Sequence, residues 1–161
     1  MFERRAIERT RRGDYRVRLS GQERSLVRTY VAELGARLGG DAPGDDPALR
    51  RLFPPAYDRD AVAEEEYRRL VREELASGRR EALRVVEETI ARDRLSLEEA
   101  EAWLGALNDV RLVLGTILDV SEETYEQDVD AADPGGRELA VFAYLTWLEQ
   151  QLVEALASAF E

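Results

Sequence analysis

The stretch that most constrains the fold is Trp103 to Val120, WLGALNDVRLVLGTILDV, which stays apolar over several helical turns. Trp103, Leu107, Val110, Leu114 and Ile117 recur at the i, i+4, i+7 spacing of one helix face. Leu112, Val113 and Leu118 make much of the remaining circumference apolar, as expected of a helix surrounded by others. A second stripe runs through it: Leu104, Asn108, Arg111, Gly115 and Leu118. Gly115 leaves room for a neighbouring backbone, while Asn108 and Arg111 lie three apart and can share one partner. A buried arginine is costly unless paired, so a carboxylate or a set of backbone carbonyls should face Arg111.

The other elements follow from caps, turns and period. Tyr15, Val17 and Leu19 alternate with Arg16 and Arg18, the pattern of a half-buried strand. Phe2 to Thr10 is a weaker strand candidate, and Arg12-Gly13-Asp14 supplies the turn between them. Ser20-Gly21-Gln22-Glu23 is a capping box for a helix bearing Leu26, Val27, Tyr30, Val31, Leu34 and Leu38, ended by Gly39-Gly40. Asp46-Pro47 starts a short helical turn that buries Leu49, Leu52 and Phe53 before Pro54-Pro55. Asp60 caps a helix carrying Val62, Tyr67, Leu70, Val71 and Leu75. Ser77-Gly78 then marks either a kink or a break before Leu83, Val86 and Ile90. Ser96-Leu97-Glu98-Glu99 is a second capping box, opening the central helix. Ser121 to Asp133 reads as an acidic surface loop. Asp133-Pro134 then caps a last helix whose wide apolar face includes Leu139, Phe142, Leu145, Trp147, Leu148, Leu152, Val153 and Leu156. The expected fold is mainly α: one domain over 1–161, with a β-hairpin (1–19) packed on a bundle of about five helices (20–161).

Composition narrows the chemistry. The 161 residues contain no Cys, no His and no Lys; all 23 basic residues are Arg. Thiol chemistry, zinc fingers, imidazole bases, Schiff bases and P-loops are therefore excluded within this sequence. No GxSxG, GxGxxG or HExxH occurs, and no apolar run approaches the length of a membrane span. The charged N-terminus lacks the apolar core of a signal peptide, so a cytoplasmic location is expected, with no cofactor and no enzymatic activity. Carboxylates are the remaining metal ligands. Glu98 and Glu101, with Asp109 two turns on, make an ExxE-type candidate for magnesium and a phosphorylated substrate. First-turn Glu residues are, however, what a helix dipole favours anyway.

Charge is unevenly distributed. Residues 1–38 hold ten Arg against five acids, whereas residues 39–161 hold thirteen Arg against twenty-nine. Arg4, Arg5, Arg11, Arg12, Arg16 and Arg18 make the hairpin a candidate surface for DNA phosphates or an acidic protein. The same arginines could instead protect a sheet edge or dock on the acidic body of the chain. A pI near 4.7 disfavours non-specific nucleic-acid binding by the chain as a whole.

Four segments together resemble a known family: DPALRRLFPPAY (46–57), EEEYRRL (64–70), WLGALNDVRLVLGTILDV (103–120) and YLTWLEQQLV (144–153). They are similar to an actinobacterial family of small proteins described as a domain of unknown function. It is commonly encoded beside the Clp-protease adaptor ClpS, and some members are named AosR, an oxidative-stress transcriptional regulator. The most specific part is Leu107 to Gly115, including Leu107, Asn108, Asp109, Arg111 and Gly115. The resemblance implies a regulatory role exerted on a protein of the transcription or Clp machinery, or on DNA. The cysteine-based redox sensing associated with that family maps to no position here. A carboxylate–magnesium enzyme and a structural homodimer joined through the last helix are the alternatives.

Overall fold

The computed structural model describes residues 4–40, 46–53, 61–118 and 136–160, with no side chain described at 61, 64, 67–70 or 72. Four α-helices and a small antiparallel sheet enclose one core. In order they are β1 (Ile7–Arg9), β2 (Tyr15–Val17), α1 (Gly21–Leu38), α2 (Ala61–Thr89), β3 (Arg94–Leu95), α3 (Leu97–Leu118) and α4 (Gly136–Ala157). Short 3-10 turns cover Pro47–Leu49 and Ser158–Phe160. Among the described residues the α-helices number four, not about five, and the second stretch runs unbroken through Ser77-Gly78. A lone glycine in a helix costs about 1 kcal/mol, too little to break one anchored by Ala76, Leu83 and Val86 in the core.

Both capping boxes form. The Glu23 amide donates to Ser20 Oγ (3.1 Å), and the Ser20 amide donates to Glu23 Oε1 (3.0 Å). Ser96 and Glu99 make the same reciprocal pair at 3.1 and 2.8 Å. Asp46 caps the Pro47–Leu49 turn through the Ala48 amide, and Leu49, Leu52 and Phe53 are buried as expected. The expected first-strand residue Phe2, the Pro54-Pro55 stop, the Asp60 cap, the 121–133 loop and the Asp133 cap lie outside the described residues.

α3 is the central element. Trp103, Leu107, Val110 and Leu114 are buried, while Ile117 at the far end is 51% exposed. The Trp103 indole N–H donates to Thr89 Oγ1 (2.7 Å), whose hydroxyl donates to the Val85 carbonyl, so the core carries no unmet indole donor. α4 packs along α3, burying Leu145, Leu148 and Leu152. Phe142, Trp147 and Leu156 of the wide apolar face pack partly against the same core. Val153, at 41% exposure, lies off that face. Val62 is also solvent-facing, at 74% exposure, contrary to its expected place on the buried stripe of α2.

The hairpin gains a third strand that the sequence pattern does not show. The sheet order is β1-β2-β3, with Ile7 opposite Val17, Tyr15 opposite Leu95 and Arg16 opposite Arg94. Two residues are too few for alternation to register, and β3 is held by longer-range contacts. Arg24 of α1 donates to the Leu19, Ile90 and Arg92 carbonyls and to Asp93, clamping the α2–β3 connection beside β2. The β1–β2 turn closes through Thr10 and Asp14, with Gly13 at φ +89°, a conformation that favours glycine. Ile7, Tyr15, Val17 and Leu95 point into the common core, so the hairpin is part of the domain's packing and not an appendage.

Candidate functional site

The alternation that buries Tyr15 and Val17 forces Arg16 and Arg18 outward, onto the sheet face that also carries Glu8 and Arg94. The six hairpin arginines singled out from the sequence then divide into two groups. Arg4 is tied down: it ion-pairs with Glu23, donates to the Arg18 carbonyl and lies 5.4 Å over the Trp147 ring. Arg18 meets Glu8 at 3.2 Å. Arg5, Arg11, Arg12 and Arg16 are exposed, and their guanidinium groups make no hydrogen bond or ion pair among the described residues. Arg9, at the end of β1, is likewise exposed and unpaired among the described residues. Arg94, which the sequence reading passed over, joins this face through β3. It reaches Asp14 at 3.4 Å. The Thr10 hydroxyl, with Arg94, holds the Asp14 carboxyl below its usual range.

Glu23 links this hairpin to the bundle. Besides capping α1 and pairing with Arg4, it accepts a hydrogen bond from the Tyr144 hydroxyl of α4 (2.7 Å). Burial opposes its charge, but Tyr144, the Ser20 amide and Arg4 outweigh it and hold the carboxyl below its usual range. The Ala6 amide donates to Gln151 Oε1 of α4, a second link.

The 107–115 motif lies elsewhere and acts as internal bracing. Leu107 is fully buried. Asp109 is 6% exposed and pairs with Arg79 of α2, whose guanidinium lies 6.0 Å over Phe53. Burial pushes the Asp109 carboxyl up, opposed by Arg79. Arg111 faces a carboxylate, as expected: Glu149 of α4 at 2.8 Å, an ion pair whose nitrogen and oxygen are not aligned as a hydrogen bond. Asn108 accepts from Arg111 at 3.3 Å instead of sharing a third partner with it. Gly115 is approached by a side chain, not by backbone: a Cβ there would sit 3.1 Å from Phe142 Cε2 and 3.4 Å from Arg51 Nη1.

The carboxylates proposed for magnesium do not share a site. Glu98 and Glu101 are exposed, whereas Asp109 is buried against Arg79. Among the described residues no group of three acidic side chains is placed to hold a metal ion, and no helix is long and apolar enough to cross a membrane.

Residues 4–156 match the family described as Domain of unknown function (DUF2017). The chain belongs to this family. It is 33% identical over 139 residues to an AosR relative from Mycobacterium leprae (strain TN), covering 76% of this chain and 64% of that protein. The oxidative stress regulator AosR of Mycobacterium tuberculosis (strain ATCC 25618 / H37Rv) is 29% identical over 143 residues, covering 76% of this chain and 63% of the relative. The chain thus spans just under two thirds of the length of these relatives. No solved structure matches it.

Proposed function

We propose that this member of the family is a regulatory protein that works by binding, not by catalysis, and that the hairpin arginines make the contact. The observation that carries this reading is the set of unpaired guanidinium groups on Arg5, Arg11, Arg12 and Arg16. The chain has 34 carboxylates against 23 arginines, yet among the described residues none pairs with these groups. Its relatives are named oxidative stress regulators, which supports a regulatory role. The partner is an acidic surface on a protein of the transcription or Clp machinery. With no cysteine in these residues, control does not run through a thiol switch on this stretch.

DNA is the second reading, favoured by the match between arginine forks and phosphates. Net charge −11 argues against it, since a duplex would face the acidic body as well as the hairpin. A fluorescence-anisotropy salt titration on random-sequence duplex DNA separates the two. The parent is compared with an Arg11→Gln/Arg12→Gln variant, because removing the hairpin outright would open the core. A protein partner predicts no DNA binding at low salt and loss of pull-down of transcription or Clp components by the variant. Steeply salt-dependent DNA binding that weakens in the variant would move the assignment to DNA. Capture of those components unchanged by the substitution would sink the hairpin reading.

A further inference from the structure

Packing does not account for the outward face of the sheet. Arg16 and Arg94 stand directly opposite each other on antiparallel β2 and β3. Like charges in that position destabilise a sheet, an effect that Glu8, opposite Arg16 on β1, offsets in part, and neither arginine side chain is needed for the core. Arg18, two residues along β2, projects from the same face. These three arginines, with Arg24 and the Asp93 carboxylate that Arg24 holds, rim an open concavity of ≈ 470 Å³; Val17 and Leu19 also line it, with their side chains buried in the core.

The donors around this concavity are unevenly used. Arg24, also on its wall, has its nitrogens committed to the Leu19, Ile90 and Arg92 carbonyls and to Asp93. Arg18 gives one nitrogen to Glu8 (3.2 Å), and Arg94 gives one to Asp14 (3.4 Å). A guanidinium carries five N–H donors in a planar fork, so Arg18 and Arg94 retain free donors and Arg16 retains all of its own. Three forks rimming one cavity suit a group with three or more acceptor oxygens and more than one negative charge. A carboxylate, with two oxygens, is satisfied by a single fork.

Size follows from the field of the whole molecule. At physiological ionic strength a charge is screened beyond about 8 Å. A small anion seated among Arg16, Arg18 and Arg94 feels mainly these charges, Arg24 and the partnering Glu8, Asp14 and Asp93 carboxylates, four cations against three anions. An extended polyanion would also cross the body, where residues 39–161 carry twenty-nine acids against thirteen Arg.

We infer that this concavity between β2 and β3 is a binding site for a small phosphate-bearing ligand, held by Arg16 and Arg94 with help from Arg18. The ligand is inorganic phosphate or the phosphate of a small ester. The site shares Arg16 with the proposed partner surface, but Arg11 and Arg12, whose substitution tests that surface, lie outside the concavity, so either reading can fail without the other.

Isothermal titration with inorganic phosphate and with glycerol 3-phosphate, at ionic strength matched with sodium chloride, tests it on the full chain. Both Arg16→Gln and Arg94→Gln should weaken binding by about tenfold or more, the loss of a charge-assisted contact. Arg28→Gln, an exposed position on α1, should leave it within about twofold, because that charge is outside the concavity. The tighter of the two probes names the source of the phosphate. Binding by neither probe, or binding that survives both substitutions, would overturn the assignment.

Discussion

Glu23 serves three partners at once, and replacing it with Ala tests how the hairpin is fastened to the bundle. The substitution removes half of a capping box, worth about 0.5–1 kcal/mol. It leaves the largely buried Tyr144 hydroxyl without its acceptor, at about 1 kcal/mol. The Arg4 ion pair adds at most about 0.5 kcal/mol, because the Arg4 side chain is 44% exposed. The expected loss is therefore about 2 kcal/mol, read in urea melts as a lower midpoint at unchanged slope. For a domain of this size it corresponds to a fall in Tm of roughly 4–8 °C. Tyr144→Phe alone should cost about 1 kcal/mol, and the double variant should fall short of additivity by about 0.5–1 kcal/mol. Acid provides a second check. Since the folded Glu23 carboxyl is held below its usual 4.5, its stabilisation is complete above that pH and is lost as pH falls through the folded value. The deficit of Glu23→Ala should accordingly shrink in acid. Strict additivity with Tyr144→Phe, or a deficit that grows as pH falls, would refute the linkage described here.

Three further outcomes follow from the core. Thr89→Val should cost about 1–3 kcal/mol in urea melts by stranding the Trp103 indole N–H, and Trp103→Phe in that background should cost less than it does in the parent. Gly115→Ala should stay within about 1 kcal/mol of the parent, as helix propensity offsets a small shift of Phe142. Gly115→Leu should cost about 1–3 kcal/mol or more, and equal stability of the two would show that Phe142 does not define the space. Burial raises the folded Asp109 carboxyl, so the folded chain binds the extra proton and this group costs stability as pH rises above 3.8. Stability curves against pH should move in favour of Asp109→Asn relative to the parent across that interval; movement the other way would contradict the burial argument.

The helical framework was legible because its signals are local. The Ser20 and Ser96 capping boxes, the Asp46-Pro47 turn and the 3.6-residue period of α3 each stand within a few residues of sequence. Arg111 was legible for a different reason: the cost of an unpaired buried cation demanded a carboxylate, although nothing local could name Glu149. The features missed depend on distant residues. β3 has two residues and is fixed by Arg24, about 70 positions earlier in the chain, and Arg94 joins the basic face only through that pairing. Val62 satisfied the helical period yet faces solvent, because a period gives an apolar stripe but not the extent of what covers it. Of the hairpin arginines, charge alone could not separate Arg4, spent on Glu23 and Trp147, from Arg16, which is unspent.

This division gives a way to separate the bracing motif from the working surface. If the polar residues of α3 serve only to fix helix positions, an apolar pair of similar volume should replace Arg111 and Glu149 together. Buried ion pairs exchanged this way are commonly neutral or stabilising, whereas removing one partner leaves a charge unmet. Arg111 is 29% exposed, which lets water reduce the penalty, so Glu149→Leu alone should cost about 1–3 kcal/mol. Arg111→Met/Glu149→Leu should recover at least half of that loss in urea melts. It should bind whatever the hairpin binds with parental affinity, since neither side chain is near the sheet arginines in the contacts it makes. A well-folded double variant that no longer binds its partner would place Arg111 and Glu149 in the working surface and return the 107–115 motif to the functional site.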